Sequence, residues 1–497
     1  MKLVKYLLVA LAAITTGYLV MLGCFNTLVA DDFGFICRVE KLGIWKFIYH
    51  AYMTWQCRFS SYLVTGIVYD LFGRSTNLVG YTIIMLVLGY LTFYRLFRDV
   101  MPKMSKGWVV LFSIIVNNLA VMSFFEMNTF YWLCTPDYYL LMYATIILLD
   151  ILFLSSIRTS YKWIVLLLCA LYICGNSELY LAILIFFTGI ALCAWIIKLP
   201  TKITMQNQRF QMLVACLLIF GIGFLVQYFG PGTQIRMEAW QSDTDAVDFI
   251  HNFSLLPFVK ASFKALALLF LRLFFQGHYY LVALALFLFI GHIAKDHFIC
   301  NKNDFVIRIK YVICGFVIFY VVSVEISVFS LGCLAPIRSY TFIHYLFLMC
   351  IGYIGILIGA NKMSFKTTKN ICLAASTFLV IFTLCFAYVE YPIVKRYKQN
   401  VIATFREIQN KGCNLDESEP IIVEPFVIDY IPNAYSYFRN MAKKKLSSEG
   451  KIDDEMPGFF PYLPFELSKK PNDFKNKGLK EYLNLNNDII GWVEPLY

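Results

Sequence analysis

LVKYLLVALAAITTGYLVMLGCFNTLVADDFGF, residues 3–35, is an apolar run that ends in two adjacent carboxylates, Asp31 and Asp32. From about Leu3 to Val29 it is long enough to cross a bilayer, for which roughly 20 apolar residues suffice. An acidic pair at the exit of such a segment stands at the membrane surface, where ionisation is cheap and a catalytic base can work. The plainer alternative is that the acids only mark the end of a hydrophobic segment. The run is longer than a signal-peptide core and lacks the small residues of a cleavage site, so it reads as an uncleaved anchor despite Leu22-Gly23-Cys24.

Composition extends this reading to the whole chain. Of 497 residues, 59% are hydrophobic and 15% charged, against roughly 25% charged residues in a soluble domain. The expected class is an α-helical polytopic membrane protein. Spans fall near 3–24, 78–97, 107–125, 138–157, 163–175, 179–197, 210–229, 277–294, 310–330, 340–360 and 371–389. The fifth is short and runs into Gly175-Asn176-Ser177-Glu178, which predicts an irregular, cavity-facing end. Lys and Arg gather after the even-numbered spans, at Arg95, Arg98, Lys103 and Lys106, then Arg158 and Lys162, then Lys198, Lys202 and Arg209. The positive-inside rule therefore sets the N-terminus inside and, with eleven spans, the C-terminus and Asp31-Asp32 outside. Two more apolar segments, 59–73 and 256–275, carry charges at intervals that suit helices lying in the interface, and counting both as spans would give thirteen. The 15 cysteines are scattered mostly through the spans, as small buried hydrophobes, and no spacing suggests a zinc site.

A long outer loop, 30–77, carries Asp31, Asp32, Arg38, Trp55, Arg58 and Arg74. Trp55 precedes Arg58 by three residues, which predicts that indole and guanidinium share one helix face. Such a pair suits a sugar-phosphate, the Arg fork matching phosphate oxygens and the Trp face packing a sugar or prenyl chain. Alone it is equally an aromatic-belt Trp beside a headgroup-binding Arg. Three further outer elements converge on this side. Asn176-Ser177-Glu178 puts a carboxylate at membrane depth, Gly230-Pro231-Gly232 forms a turn that aims Arg236, and Pro336-Ile337-Arg338 places an Arg where cations are scarce.

In that order, ADDF, W-x-x-RF, Asn-x-Glu, the Pro-Gly turn with its downstream Arg, and Pro-x-Arg resemble a group of bacterial proteins of the GT-C superfamily, the multipass glycosyltransferases that use polyprenyl-phosphate sugars. The resemblance covers roughly residues 1–390. It implies a general base at Asp31 or Asp32, substrate contacts from Trp55, Arg58, Asn176, Glu178, Arg236 and Arg338, and no certain cofactor, although a divalent cation is used by some members. It also implies a polyprenyl-phosphate sugar donor, a surface glycan or lipid acceptor, and a place in the cytoplasmic membrane with the site facing out.

Residues 391–497 change character to Lys, Asn, Asp and Pro and read as a separate extracytoplasmic module of mixed α/β structure, with a helix over 394–411 and one or two strands over 419–432. The net charge of +11 is accounted for by cytoplasmic loops and this tail, so nucleic acid is not an expected partner. Two other functions share the composition. A transporter or flippase of lipid-linked sugars would use intramembrane acids such as Asp150 and Glu325, and a glycan ligase would share the donor chemistry.

Overall fold

The structure is a computed structural model that describes residues 2–28, 31–75, 77–123, 128–155, 159–198, 207–243, 253–335, 337–414, 419–423 and 474–491. Ala30, Arg158, Lys202 and Pro336 lie outside these, as do 424–432 of the expected strand region.

The chain is almost wholly helical. In order, the helices are α1 (Lys2–Phe25), α2 (Asp32–Thr54), α3 (Phe59–Phe72), α4 (Val79–Val100), α5 (Lys106–Met122), α6 (Pro136–Phe153), α7 (Thr159–Cys174) and α8 (Glu178–Lys198). They continue as α9 (Gln208–Tyr228), α10 (Pro231–Asp243), α11 (Leu255–Phe275), α12 (Gly277–Ile293), α13 (Lys302–Leu331), α14 (Thr341–Asn361) and α15 (Phe365–Asn414). Strand β1 (Ile421–Val423), helix α16 (Phe474–Tyr482) and strand β2 (Ile489–Gly491) complete the described chain.

A helix stands at each of the eleven expected span positions, because a backbone in hydrocarbon must satisfy its hydrogen bonds within the segment. Among the described residues eight helices are long and apolar enough to cross a membrane, which makes this a multi-pass, membrane-embedded chain. The others are shorter: α5, α7, and α12, which meets α11 at a bend of 61°. The segment 256–275, expected as a surface helix, is helix α11, and it runs into α12 at that bend. The end of the fifth span is irregular as expected, and Gly175, Asn176 and Ser177 are buried there.

Between helices that have no water to expel, polar side chains act as glue. Asn118 of α5 is fully buried and donates to Thr15 and Thr16 of α1, both at 2.9 Å, while accepting from Tyr90 of α4 at 2.8 Å. Tyr143 of α6 donates to the neighbouring Asn117 at 3.1 Å. His344 of α14 meets Tyr280 of α12 at 2.7 Å and the Ala120 carbonyl of α5 at 3.0 Å.

The expected boundary near residue 390 is not a break in structure. Helix α15 runs unbroken for 50 residues, about 75 Å at 1.5 Å per residue. Its Glu390 accepts from Tyr18 of α1 at 2.5 Å, and Lys398 donates to the Cys24 carbonyl at 2.8 Å, so the outer half continues the α1–α15 contact. Beyond it, β1 and β2 pair in parallel and α16 packs on the start of α2. Phe33 is held edge-on between Phe405 of α15 (5.6 Å) and Tyr482 of α16 (5.2 Å). Arg74 donates to both oxygens of Glu40 at 2.7 Å and to the Tyr482 carbonyl at 2.9 Å, and it lies over the Tyr482 ring. The described part of the tail is therefore a brace on the first loop.

Replacing Asn118 with Leu removes the hub joining α1, α4 and α5. It should cost about 1–2 kcal/mol, read as a lower midpoint of thermal unfolding for the full chain in detergent.

Candidate functional site

All eight residues singled out in the sequence fall near one end of the bundle, beside the exits of α1 and α7 and the starts of α6, α8 and α14. The opposite end carries Arg95 of α4, which bridges to Asp150 of α6 at 3.3 Å and pairs with Asp99.

The joint between α2 and α3 organises the site. Helix α2 closes when the N–H groups of Trp55 and Gln56 both return to the Ala51 carbonyl (3.0 and 2.9 Å). The chain then turns through Gln56, Cys57 and Arg58, and α3 opens with the Ser60 N–H donating to the Gly175 carbonyl at 2.8 Å. Trp55 and Arg58 therefore do not share a helix face. The indole is 46% exposed, whereas the Arg58 side chain is 15% exposed and points into the bundle. Local spacing predicted a continuous helix, but α2 closes before Arg58, and the Gly175 carbonyl takes an opening amide of α3 instead.

Gly230 and Gly232 permit the closest packing at this joint. A Cβ on Gly230 would overlap the Cys57 sulfur, and one on Gly232 would come within 2.5 Å of the Tyr52 carbonyl oxygen and 2.8 Å of the Gln56 nitrogen. Only glycine lets α10 approach so closely, and that approach aims Arg236. With the Gln56 side-chain amide turned so that its oxygen faces the guanidinium, Arg236 donates to that oxygen. Only Gly230 belongs to the turn after α9; Pro231 and Gly232 already open α10, the helix that carries Arg236.

Glu178, the first residue of α8, accepts from Arg58 Nε at 2.8 Å and Nη2 at 2.7 Å, both on Oε2. Burial works to lower the affinity of the Arg58 guanidinium for its proton, but Glu178 outweighs it and holds the group charged. Arg236 is pulled down by burial and by the like charge of Arg58, with Glu178 opposing. Two guanidiniums therefore bear on one carboxylate. Asn176 is fully buried and donates to Tyr172 at 3.2 Å, in the turn that supports Glu178.

The acidic side of the site is built on α2, α3 and α6. The pair Asp31-Asp32 lies on the opening turn of α2, with Asp32 its first helical residue and Asp31 at the cap. Asp32 is fully buried and accepts from Tyr69 of α3 at 2.7 Å. Asp31 is half-buried, and its carbonyl accepts from the Phe35 N–H at 3.1 Å. Asp137, at the start of α6, is 3% exposed; one carboxylate oxygen accepts from Ser61 of α3 at 2.9 Å, and the other has no hydrogen-bond partner among the described residues. Arg58 and Arg338 both lie within electrostatic reach of Asp137. Arg338 sits in the turn before α14, over the Trp132 ring at 5.6 Å. Cys134 lies among Asp31, Asp32 and Asp137, and burial followed by those three charges pushes its thiol well above the usual range, so it is neutral.

Asp137, Tyr69 and Gln56 escaped sequence reading. Thr-Pro-Asp before an apolar run is an ordinary helix opening, Pro at the first position and an acid in the first turn, so it gave no signal of a site. Among the described residues no group of three His, Cys, Asp or Glu side chains converges as a metal cage. A divalent cation would draw most of its ligands from phosphate and water. The chain matches no protein-family model, no curated protein and no solved structure.

Tyr69→Phe leaves the buried Asp32 carboxylate without its hydroxyl donor. The variant should be destabilised by about 1–3 kcal/mol, measured as a drop in thermal midpoint at unchanged expression.

Proposed function

We propose that this chain is a membrane glycosyltransferase of GT-C type, which moves one sugar from a polyprenyl phosphate onto a glycan or lipid at the outer face of the cytoplasmic membrane. The observation that carries this reading is a single membrane-end site holding carboxylates (Asp31, Asp32, Asp137) on one side and arginines (Arg58, Arg236, Arg338) on the other. Below it an apolar cavity of about 280 Å³ runs between α6, α8, α9, α13 and α14. Its upper lining includes Tyr180, two residues beyond Glu178, and Phe342, four beyond Arg338. A phosphate on a prenyl chain has the matching shape, with its charge at the arginines and its tail in the cavity.

The two halves divide the chemistry. The acceptor hydroxyl gives its proton to a carboxylate as its oxygen bonds to the anomeric carbon, and the sugar–phosphate bond breaks with its electron pair left on phosphate. Asp31 is the better-suited base, since Asp32 is sequestered under Tyr69. The phosphate leaves with its charge met by fixed guanidiniums in a site shielded from water. Trp55, exposed at the rim, is positioned to pack the sugar or acceptor.

The lipid-linked-sugar transporter reading has the α11–α12 bend in its favour, since broken helices mark transporter sites. Its acids are already engaged: Glu325 accepts from Ser262 at 2.6 Å, and Asp150 is bridged to Arg95. A ligase moving a whole glycan would use the same donor chemistry and differ in the size of the glycan lost.

Mass spectrometry of surface glycans at matched membrane levels separates these readings. Deleting the chain should remove one sugar, and Asp31→Asn should reproduce that loss, with transfer down about 10²–10⁴-fold. Arg236→Gln should lower transfer about 10²–10³-fold, the usual cost of one oxyanion-stabilising donor. A glycan lost on deletion yet intact in both Asp31→Asn and Asp32→Asn would reject the transferase and favour transport.

A further inference from the structure

Resting on that reading, we propose that Glu178 occupies the seat of the donor phosphate when the site is empty, and swings off Arg58 when a phosphate enters. Three features of the site point to this. Both Arg58 N–H groups converge on one oxygen of Glu178, the arrangement in which a guanidinium fork takes a phosphate oxygen. The guanidinium of Arg236 is set against the neutral side-chain amide of Gln56 rather than a carboxylate of its own. Two guanidiniums, Arg58 and Arg236, also share the one carboxylate of Glu178 at this corner of the site.

Two guanidiniums sharing one carboxylate call for more negative charge, and a dianionic phosphate supplies it better than the carboxylate it replaces. Glu178 has somewhere to go. Its side chain is 20% exposed, and as the first residue of α8 it remains favourably placed at a helix N-terminus after leaving Arg58. The apolar cavity is lined by Tyr180, two residues beyond Glu178 on α8, so the ligand that displaces Glu178 is a phosphate carried on an apolar chain. Between visits the carboxylate keeps Arg58 ordered in a low-dielectric site, and it sets a threshold that uncharged lipids cannot meet.

The test uses the purified full-length chain in detergent, with farnesyl phosphate, farnesol and dioleoyl phosphatidic acid as probes. Binding is followed by titration calorimetry and by the ligand-induced shift in thermal midpoint. Glu178→Gln should bind farnesyl phosphate about tenfold more tightly than wild type, with farnesol unchanged, although the unliganded variant melts lower. Glu178→Asp, whose shorter carboxylate cannot hold both Arg58 contacts, should gain about threefold. The gain should vanish in Arg58→Gln/Glu178→Gln. Equal gains for phosphatidic acid would keep the phosphate seat but assign it to membrane headgroups. Affinities at or below wild type in both Glu178 variants would overturn the stand-in role while leaving wild-type preference for farnesyl phosphate over farnesol to support the donor reading. No binding of farnesyl phosphate by any form would overturn both.

Discussion

The turn at Gln56-Cys57-Arg58 is the constraint on which the site depends. Backbone leaving a helix near a membrane must find partners for its exposed amides, and here they are supplied by the end of a different helix, the Gly175 carbonyl. That capture starts α3 in a new direction and delivers Arg58 to Glu178, while Gly230 and Gly232 bring α10 and Arg236 against the same joint. Three separated stretches of chain thereby meet around one ion pair. Had the helix simply continued, Arg58 would have stayed with Trp55 on an exposed face, where a guanidinium pair contributes little.

The acidic half is held by a different set of contacts. Asp31 and Asp32 open α2, whose first turn is pinned by Phe33 between the long helix α15 and the returning helix α16. Their side chains diverge because successive residues on a helix are about 100° apart. One is drawn under Tyr69, and the other remains half-buried. The described part of the tail braces the start of the first loop, and α15 carries the connection from the bundle without interruption.

Much of the fold was legible because hydrocarbon imposes so few solutions. Each apolar run became a helix, and the irregular end after α7 was visible in Gly175-Asn176-Ser177. Span counting was less secure at α5, α7 and α12, which are too short to be judged by length, and segment 256–275 joined α12 in a bent pair that hydropathy could not foresee. The site was legible as a set of residues and not as an arrangement. Arg58, Glu178 and Arg236 were each read as separate ligands, and their mutual contact came only from folding.

By itself, then, the sequence determined a helical membrane protein with charged residues concentrated between its apolar runs, since burial of backbone and of charge in lipid is costly wherever it occurs. Tertiary structure alone decided which charges meet. Asp137 became part of the site because Ser61 and two arginines from distant segments face it, and Asp32 parted from Asp31 because Tyr69 lies above only one of them. Charges pair according to distances of a few ångströms, and those distances are fixed by the packing of whole helices rather than by spacing along the chain.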